Sequence, residues 1–288
     1  MAKIADLLAA GRTFSFEFFP PKNDDEQQTL VRTLRDLEPL NPSFVSVTYR
    51  GGRESRARTH DLVVGMLRTT TLTPMAHLTC VVHSRLELAE ILVEYRKAGI
   101  ENVLALGGDP PVEASEGAGE LAYAQQLVEL AHAIGGFSVG VAAHPELHPR
   151  SPDRSSDREF LAEKLRLADF AITQFFFRLS DYESMMEDLA SAGIDKPVIP
   201  GIMPITSLSG VQRMAQLSGC EVPREVVARV EKYADDPDAV RKEGVAVATE
   251  LCKELLDSGV PGLHFYTLNR SKATREIYGH LGLSSSDG

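Results

Sequence analysis

A single-domain α/β fold, a (β/α)8 TIM barrel, is predicted for the 288-residue chain by three features of its sequence. Short β-branched or aromatic runs alternate with longer segments of helical periodicity, the rhythm of parallel βα units. Such runs occur eight times, starting roughly every 30 residues, and eight units close a barrel. After the first run stands FFPPK, where a doubly wound open sheet, the competing fold, would carry a glycine-rich dinucleotide fingerprint.

The first strand, FSFEFF at 14–19, ends against Pro20 and Pro21, which cannot donate to a sheet ladder. EQQTLVRTLRDLEPL then carries its leucines at helical spacing, before the second strand FVSVTY (44–49). The third strand, MAHLTC (75–80), precedes SRLELAEILVEYRKAG, whose Gly99 stands where a helix stops. NVLALG (102–107) and SVGVAA (138–143) flank LAYAQQLVELAHAIG, which ends at Gly135. FAITQFF (170–176) leads into DYESMMEDLASAG, closed by Gly193, and then into VIPGIM (198–203). A longer gap precedes the last strand, GLHFYTL (262–268). It holds LSGVQRMAQLSG and a second helical pattern from Asp236 to Ser258, so an extra helix is expected between strands seven and eight. No Gly/Ser-rich linker divides residues 1–288, and the tail from about 284, SSSDG, reads as frayed.

A hydrophobic fraction of 43% suffices for one sizeable core. The net charge of -11, with basic residues scattered among acids, disfavours nucleic acid or an anionic membrane as a partner. An anionic ligand would therefore need a local basic site. Cys80, Cys220 and Cys252 are odd in number and lack CxxC spacing, as expected for reduced thiols in the cytoplasm. MAKIADLLAAGR is too short in apolar content for a signal peptide or a membrane span. Oligomeric state is not readable from these residues.

Chemistry in such barrels gathers at the carboxyl ends of the strands. Those ends are polar here: Glu17, Thr48 with Tyr49, His77 with Thr79, Asp109, His144 through His148, Gln174, and Asn269 with Arg270. Glu17 stands among Phe16, Phe18 and Phe19, a setting expected to strip its hydration and favour the neutral, proton-donating form. The alternative is a structural glutamate paired with a buried cation. Gly107 and Gly108 allow close backbone approach before Asp109, a group able to accept the N–H donors of a heterocycle. Gln174, presented among aromatics, can pair with a ring amide or bond loop backbone. His144 and His148 lie four apart, but Pro145 and Pro149 break the helix that a shared metal would need, so no metal is expected. Arg50, Arg53, Arg56 and Arg58 surround Glu54 in a loop suited to phosphate or carboxylate groups, or to solvent.

Taken together, SFEFFPP, FVSVTY with RTH, AHLTC, ALxGDPP, AAxPExHP, ITQFFF, IPGIMP and HFYTLNR resemble the methylenetetrahydrofolate reductase family over about residues 12 to 283. The resemblance implies reduction of 5,10-methylenetetrahydrofolate to 5-methyltetrahydrofolate with electrons from NADH or NADPH, commonly through FAD. It makes Glu17 the general acid that opens the imidazolidine ring, Asp109 a pterin contact that tunes the reaction, and Gln174 and Arg270 folate-binding residues. Residues matching the family's flavin site are Thr48, His77, Tyr123, Ala124, His148, Asp157 and Lys164, the last two placed for ribose or phosphate groups, and Gly108 and His144 stand at further cofactor-binding positions. Departures stand beside these matches. Gly107 replaces an arginine, His144 a tyrosine, and TYRGGRES a small-residue TYGA turn, while Gly210 and Met214 replace a folate-side glutamine and phenylalanine. Loss of an arginine facing the cofactor removes a charge-assisted bond worth about 1.5–3 kcal/mol. These departures point to a divergent, flavin-independent variant of the actinobacterial kind, with direct hydride transfer and with Glu54 as a second acid or a ribose contact. The same reaction through FAD by a ping-pong route is the alternative, and a catalytically silent folate-binding protein the second.

Overall fold

The computed structural model describes residues 1–49, 53–108 and 119–283, without the side chains of residues 53 and 54. Among these residues the strands β1 (Thr13–Phe18), β2 (Phe44–Val47), β3 (Pro74–Thr79), β4 (Asn102–Leu106), β5 (Ser138–Ala143), β6 (Phe170–Phe175), β7 (Val198–Ile202) and β8 (Gly262–Tyr266) pair in chain order. All neighbours are parallel, and β8 closes on β1 with Glu17 opposite Tyr266. The predicted barrel is the observed fold.

Strand alternation divides the apolar residues into two layers. Phe16, Phe18, Val45, Val47, Leu78 and Phe265 face outward into the main core beneath the helices. Phe44, Met75, Leu104, Phe170, Ile172 and Ile199 face inward and fill the barrel. Helix α1 (Ile4–Ala10), which the sequence reading did not anticipate, adds Ile4 and Leu8 to that interior cluster. Its first turn has no side-chain cap of its own. The Ile4 N–H instead donates to Asn102 Oδ1 at 2.8 Å and the Ala5 N–H to Ser138 Oγ at 3.1 Å. Residues at the amino ends of β4 and β5 thus satisfy donors that a helix start leaves open.

Helices α2 (Asp24–Leu37), α3 (Arg53–Thr69), α4 (Arg85–Ala98), α5 (Ala124–Ile134), α6 (Arg154–Leu167) and α7 (Leu179–Ser191) follow β1 to β6 in turn. Local signals set their ends. Ser84 Oγ accepts from the Glu87 N–H at 3.2 Å while the Glu87 carboxylate accepts from the Ser84 N–H at 2.8 Å, a reciprocal cap for α4. Gly99 closes that helix at φ 91°, a left-handed conformation that favours glycine. Between β7 and β8 lie α8 (Leu208–Ser218), α9 (Arg224–Glu231) and α10 (Pro237–Asp257), and α11 (Lys272–His280) completes the ring. The expected insertion is therefore larger than one extra helix. Helix α9 buries only Val226 and Val230, too short an apolar stripe to stand out in the sequence. Among the described residues no helix is long and apolar enough to cross a membrane.

Candidate functional site

Inward-facing residues at the carboxyl ends of the strands make the barrel mouth. Glu17 is the buried acid among them, 6% exposed. Its Oε2 lies 3.5 Å from His77 Nε2 and 3.7 Å from His264 Nε2. The expectation that neighbouring phenylalanines strip its hydration needs correction. Side chains alternate along a strand, so Phe16 and Phe18 point to the opposite face, where the Phe16 ring packs 5.3 Å from that of Tyr278. Water is kept from Glu17 by the barrel interior instead, where His77, His264 and Tyr266 stand around it.

The last turn of the barrel holds Glu17 by its backbone. Thr267 Oγ1 donates to the Glu17 carbonyl at 2.6 Å, and the Asn269 amide both accepts from the Phe19 N–H and donates to the Phe19 carbonyl, each at 2.9 Å. To reach these partners Leu268 and Asn269 adopt φ of 51° and 56°, left-handed conformations that cost a leucine about 1 kcal/mol or more. Arg270, expected to bind folate, follows on this turn with an exposed side chain.

Three polar atoms at the ends of β2 and β3 are buried without a hydrogen-bond partner among the described residues: Thr48 Oγ1, His77 Nε2 and Thr79 Oγ1. Unpaired buried polar atoms are costly unless a ligand completes them, so their clustering on one side of the mouth marks a ligand-facing wall. Burial pushes the His77 imidazole down to about 4, with His264 adding to the effect and Glu17 opposing it. The ring is therefore neutral at pH 7. Because its folded value lies below the ordinary one, the unfolded chain binds more protons between pH 6.5 and 4, and stability falls with acidity across that window. From this histidine alone, urea unfolding is expected to show a loss of about 2 kcal/mol between pH 7 and pH 5. His77→Gln should remove that share; an unchanged pH dependence in the variant would contradict the assignment.

On the opposite side, His144 and His148 meet edge to face with centroids 4.5 Å apart. Burial, then the positive charges of His148, Lys164, Arg158 and Arg150, push His144 down to about 3. Lys164 Nζ donates to the Ala142 carbonyl at 2.9 Å, and burial lowers its ammonium to about 8. Asp157, expected at ribose or phosphate, is occupied in building this loop. It accepts from the His148 N–H at 3.1 Å, from Ser151 Oγ at 2.8 Å and from Arg158 at 2.6 Å. Arg158 in turn donates to the carbonyls of His144, Pro145 and Glu146. Beside Gly107, where the family carries an arginine, the exposed Arg150 reaches across from the β5 loop and donates to the Gly108 carbonyl at 3.4 Å.

Gln174 ends β6 facing inward, its Oε1 accepting from the Phe175 N–H at 3.0 Å. It lines a shallow pocket of about 10 Å³ with His144, Glu146 and Cys220. Tyr123 is 67% exposed beside the start of α5, and Ala124 is the first residue of that helix. Gly210 and Met214 lie on α8. Asp109 and the Glu54 side chain fall outside the described residues.

Two contributors were missed in sequence. His264, fully buried, stacks on Phe44 at 6.0 Å and faces Glu17. Tyr266 donates to the Thr173 carbonyl at 2.6 Å and lies over Gly201, where an added Cβ would come within 2.6 Å of its ring. Their parity with Glu17 in the paired strand was the available signal: GLHFYTL alternates Leu263 and Phe265 outward with His264 and Tyr266 inward.

A family model described as methylenetetrahydrofolate reductase matches residues 3–282. The chain is 37% identical over 270 residues to 5,10-methylenetetrahydrofolate reductase of Pectobacterium carotovorum subsp. carotovorum, covering 93% of this chain and 90% of that protein. The Escherichia coli (strain K12) protein of that name is 36% identical with the same coverage. Methylenetetrahydrofolate reductase (NADH) 1 of Arabidopsis thaliana is 35% identical over 98% of this chain, which spans 50% of the plant protein. Among solved structures, an uncharacterized Clostridium thermocellum protein that binds two copies of 5-methyl-5,6,7,8-tetrahydrofolic acid has the same fold, with a TM-score of 0.68, 13% identity, and coverage of 97% of this chain and 96% of its own.

Proposed function

Since the chain belongs to the methylenetetrahydrofolate reductase family, we propose that it reduces 5,10-methylenetetrahydrofolate to 5-methyltetrahydrofolate with NADH or NADPH as hydride donor and Glu17 as the general acid. The observation that carries this reading is the buried carboxyl at the barrel mouth, within 4 Å of two histidine nitrogens and held by its backbone to the Thr267–Asn269 turn. A carboxylic acid there gives its proton to the imidazolidine nitrogen on the aminobenzoate side. The ring C–N bond breaks toward that nitrogen, leaving an iminium on the pterin side. Hydride adds to the iminium carbon, so substrate, NAD(P)H and one proton become methyltetrahydrofolate and NAD(P)+. Gln174 orients the pterin through its amide, and Arg270 on the adjoining turn meets a carboxylate of the substrate. Asp109 keeps the pterin contact that the resemblance assigns to it.

Flavin dinucleotide fits these residues better on one side than on the other. The unpaired Thr48, His77 and Thr79 atoms suit the polar edge of a heterocycle, whether flavin, nicotinamide or pterin. The phosphate side fits less well: Asp157 already accepts three hydrogen bonds in the β5 loop, Lys164 gives a donor to a strand carbonyl, and the cation beside Gly107 is the exposed Arg150, which donates to the Gly108 carbonyl. We therefore assign direct hydride transfer from the nicotinamide, without a tightly held flavin. The test is oxidation of NADH and of NADPH by methylenetetrahydrofolate, with and without added FAD, together with the absorbance spectrum of the pure protein. A flat flavin region with turnover indifferent to FAD is expected. A flavin band with FAD-dependent turnover would restore the ping-pong route, and no turnover with either nucleotide would leave a silent folate-binding protein.

A further inference from the structure

Strand β6 does not run regularly to its end. Ala171 and Ile172 pair with Val198 and Ile199, but the next pair joins Phe175 to Gly201, so Thr173 and Gln174 stand opposite Pro200 alone. A bulge of this kind inserts one extra residue and re-aims the side chains beside it. Side chains tie it in place. The Gly201 N–H donates to Thr173 Oγ1 at 2.8 Å, and the Phe175 N–H donates to Gln174 Oε1 at 3.0 Å. The Thr173 carbonyl accepts from the Tyr266 hydroxyl at 2.6 Å, a bond that runs from β8 past β7 to β6. Gly201 makes that crossing possible. A Cβ there would lie 2.3 Å from the Thr173 carbonyl oxygen and 3.0 Å from the Tyr266 hydroxyl oxygen. The Tyr266 ring is itself met edge to face by Phe175, with centroids 6.2 Å apart, and by His264 at 5.5 Å.

We propose that Tyr266 is a positioning residue that aims Gln174 at the folate, its hydroxyl holding the Thr173 carbonyl in the bulge and so fixing the backbone from which the Gln174 amide projects. This rests on the reading of Gln174 as the pterin contact. The amide's direction follows from its own bond. Because an N–H can only donate, the atom facing the Phe175 N–H is the amide oxygen, and the NH2 group is left for the pocket shared with His144, Glu146 and Cys220. That group donates, so it selects an acceptor on the pterin, a ring nitrogen or a carbonyl oxygen. Its position depends on residues 173–175, where the register of β6 on β7 is broken. Thr173, wholly buried, is anchored to β7 through its hydroxyl and to β8 through its carbonyl. Tyr266 is also the partner of Glu17 in the β1–β8 register. One side chain therefore ties the segment that binds the pterin to the strand beside the acid, and a defined span between two such groups is what orientation requires.

The test measures kcat, KM for methylenetetrahydrofolate and KM for the nicotinamide nucleotide in Tyr266→Phe, Gln174→Ala and the double variant, with folding checked by circular dichroism and thermal melting. Phenylalanine keeps the ring against Phe175 and His264 and removes only the donor. Tyr266→Phe is expected to raise the folate KM about five- to tenfold, the loss falling on KM rather than on kcat, with the nucleotide KM within about twofold. In the Gln174→Ala background the same change should raise the folate KM less than about twofold, because the amide it aims is gone. An unmoved folate KM in Tyr266→Phe overturns the proposal, as does a rise of equal size with and without Gln174 or one shared by both substrates, the mark of general loosening. If Tyr266→Phe does not fold, Thr173→Val decides. It keeps the branched shape and removes the hydroxyl that holds Gly201, so the folate KM should rise in the same Gln174-dependent way, and an unmoved KM again overturns the proposal. Gln174→Ala keeps the two failures apart. A parental folate KM there would remove Gln174 as a pterin contact and the role of Tyr266 with it, whereas a raised KM there beside an unmoved Tyr266→Phe would remove only that role.

Discussion

Glu17→Gln is expected to lower kcat about 10²- to 10⁴-fold, the range a positioned general acid contributes. Glutamine fills the same volume and still presents an amide toward His77 and His264, so the packing of β1 is preserved and stability should change by less than about 1 kcal/mol. What it lacks is a proton that can be transferred. Iminium formation then depends on water, which the enclosed position of residue 17, 6% exposed, admits poorly. Because the missing interaction exists only as the ring opens, kcat and kcat/KM should fall together while KM for methylenetetrahydrofolate stays near the parental value. Methyltetrahydrofolate formed per enzyme over time is the measurement, and parental turnover by the variant would sink the mechanism.

The barrel was legible in the sequence because its signal is a period repeated eight times, and an error at one strand end leaves the count unchanged. FVSVTY was read to residue 49 where pairing ends at Val47, yet the polar rim it predicted at Thr48 is there. Helix α1 was not legible because its stability is supplied in trans, by Asn102 and Ser138 from strands far along the chain. Glu17 itself was found for a reason that fails: adjacency in sequence places Phe16 and Phe18 next to it, and strand geometry places them on the other face. Period-two alternation would have sent the search to the neighbouring strands, where Ser46 lies opposite Glu17 on β2 and Tyr266 on β8. Asp157 shows a second limit. Composition and resemblance reveal that a carboxylate is present, whereas its partners, a backbone N–H nine residues before it and an arginine immediately after it, are a property of the folded loop.

That loop yields the other large expected effect. Arg158→Leu should destabilise the protein by about 3–5 kcal/mol, the cost of removing one member of a buried ion pair. Arg158 is 7% exposed, and its guanidinium joins Asp157 at 2.6 Å to Asp188 at 3.2 Å. It also supplies donors to three successive carbonyls, those of His144, Pro145 and Glu146. Leucine matches the aliphatic stem but leaves Asp157 charged, enclosed and without its cation, and leaves the carbonyls without donors. Arg158→Lys keeps the charge yet cannot span the planar fork of partners, so an intermediate loss of about 1–2 kcal/mol is expected. The control is Arg154→Ala. Arg154 pairs with the same Asp188 at 2.7 Å, but its side chain is 54% exposed, and solvent screening should hold its loss to about 1 kcal/mol or less. Urea unfolding of the three variants at pH 7 measures the order. A cost for Arg158→Leu no greater than that for Arg154→Ala would show that the loop carrying His144 and His148 is held by something other than this arginine.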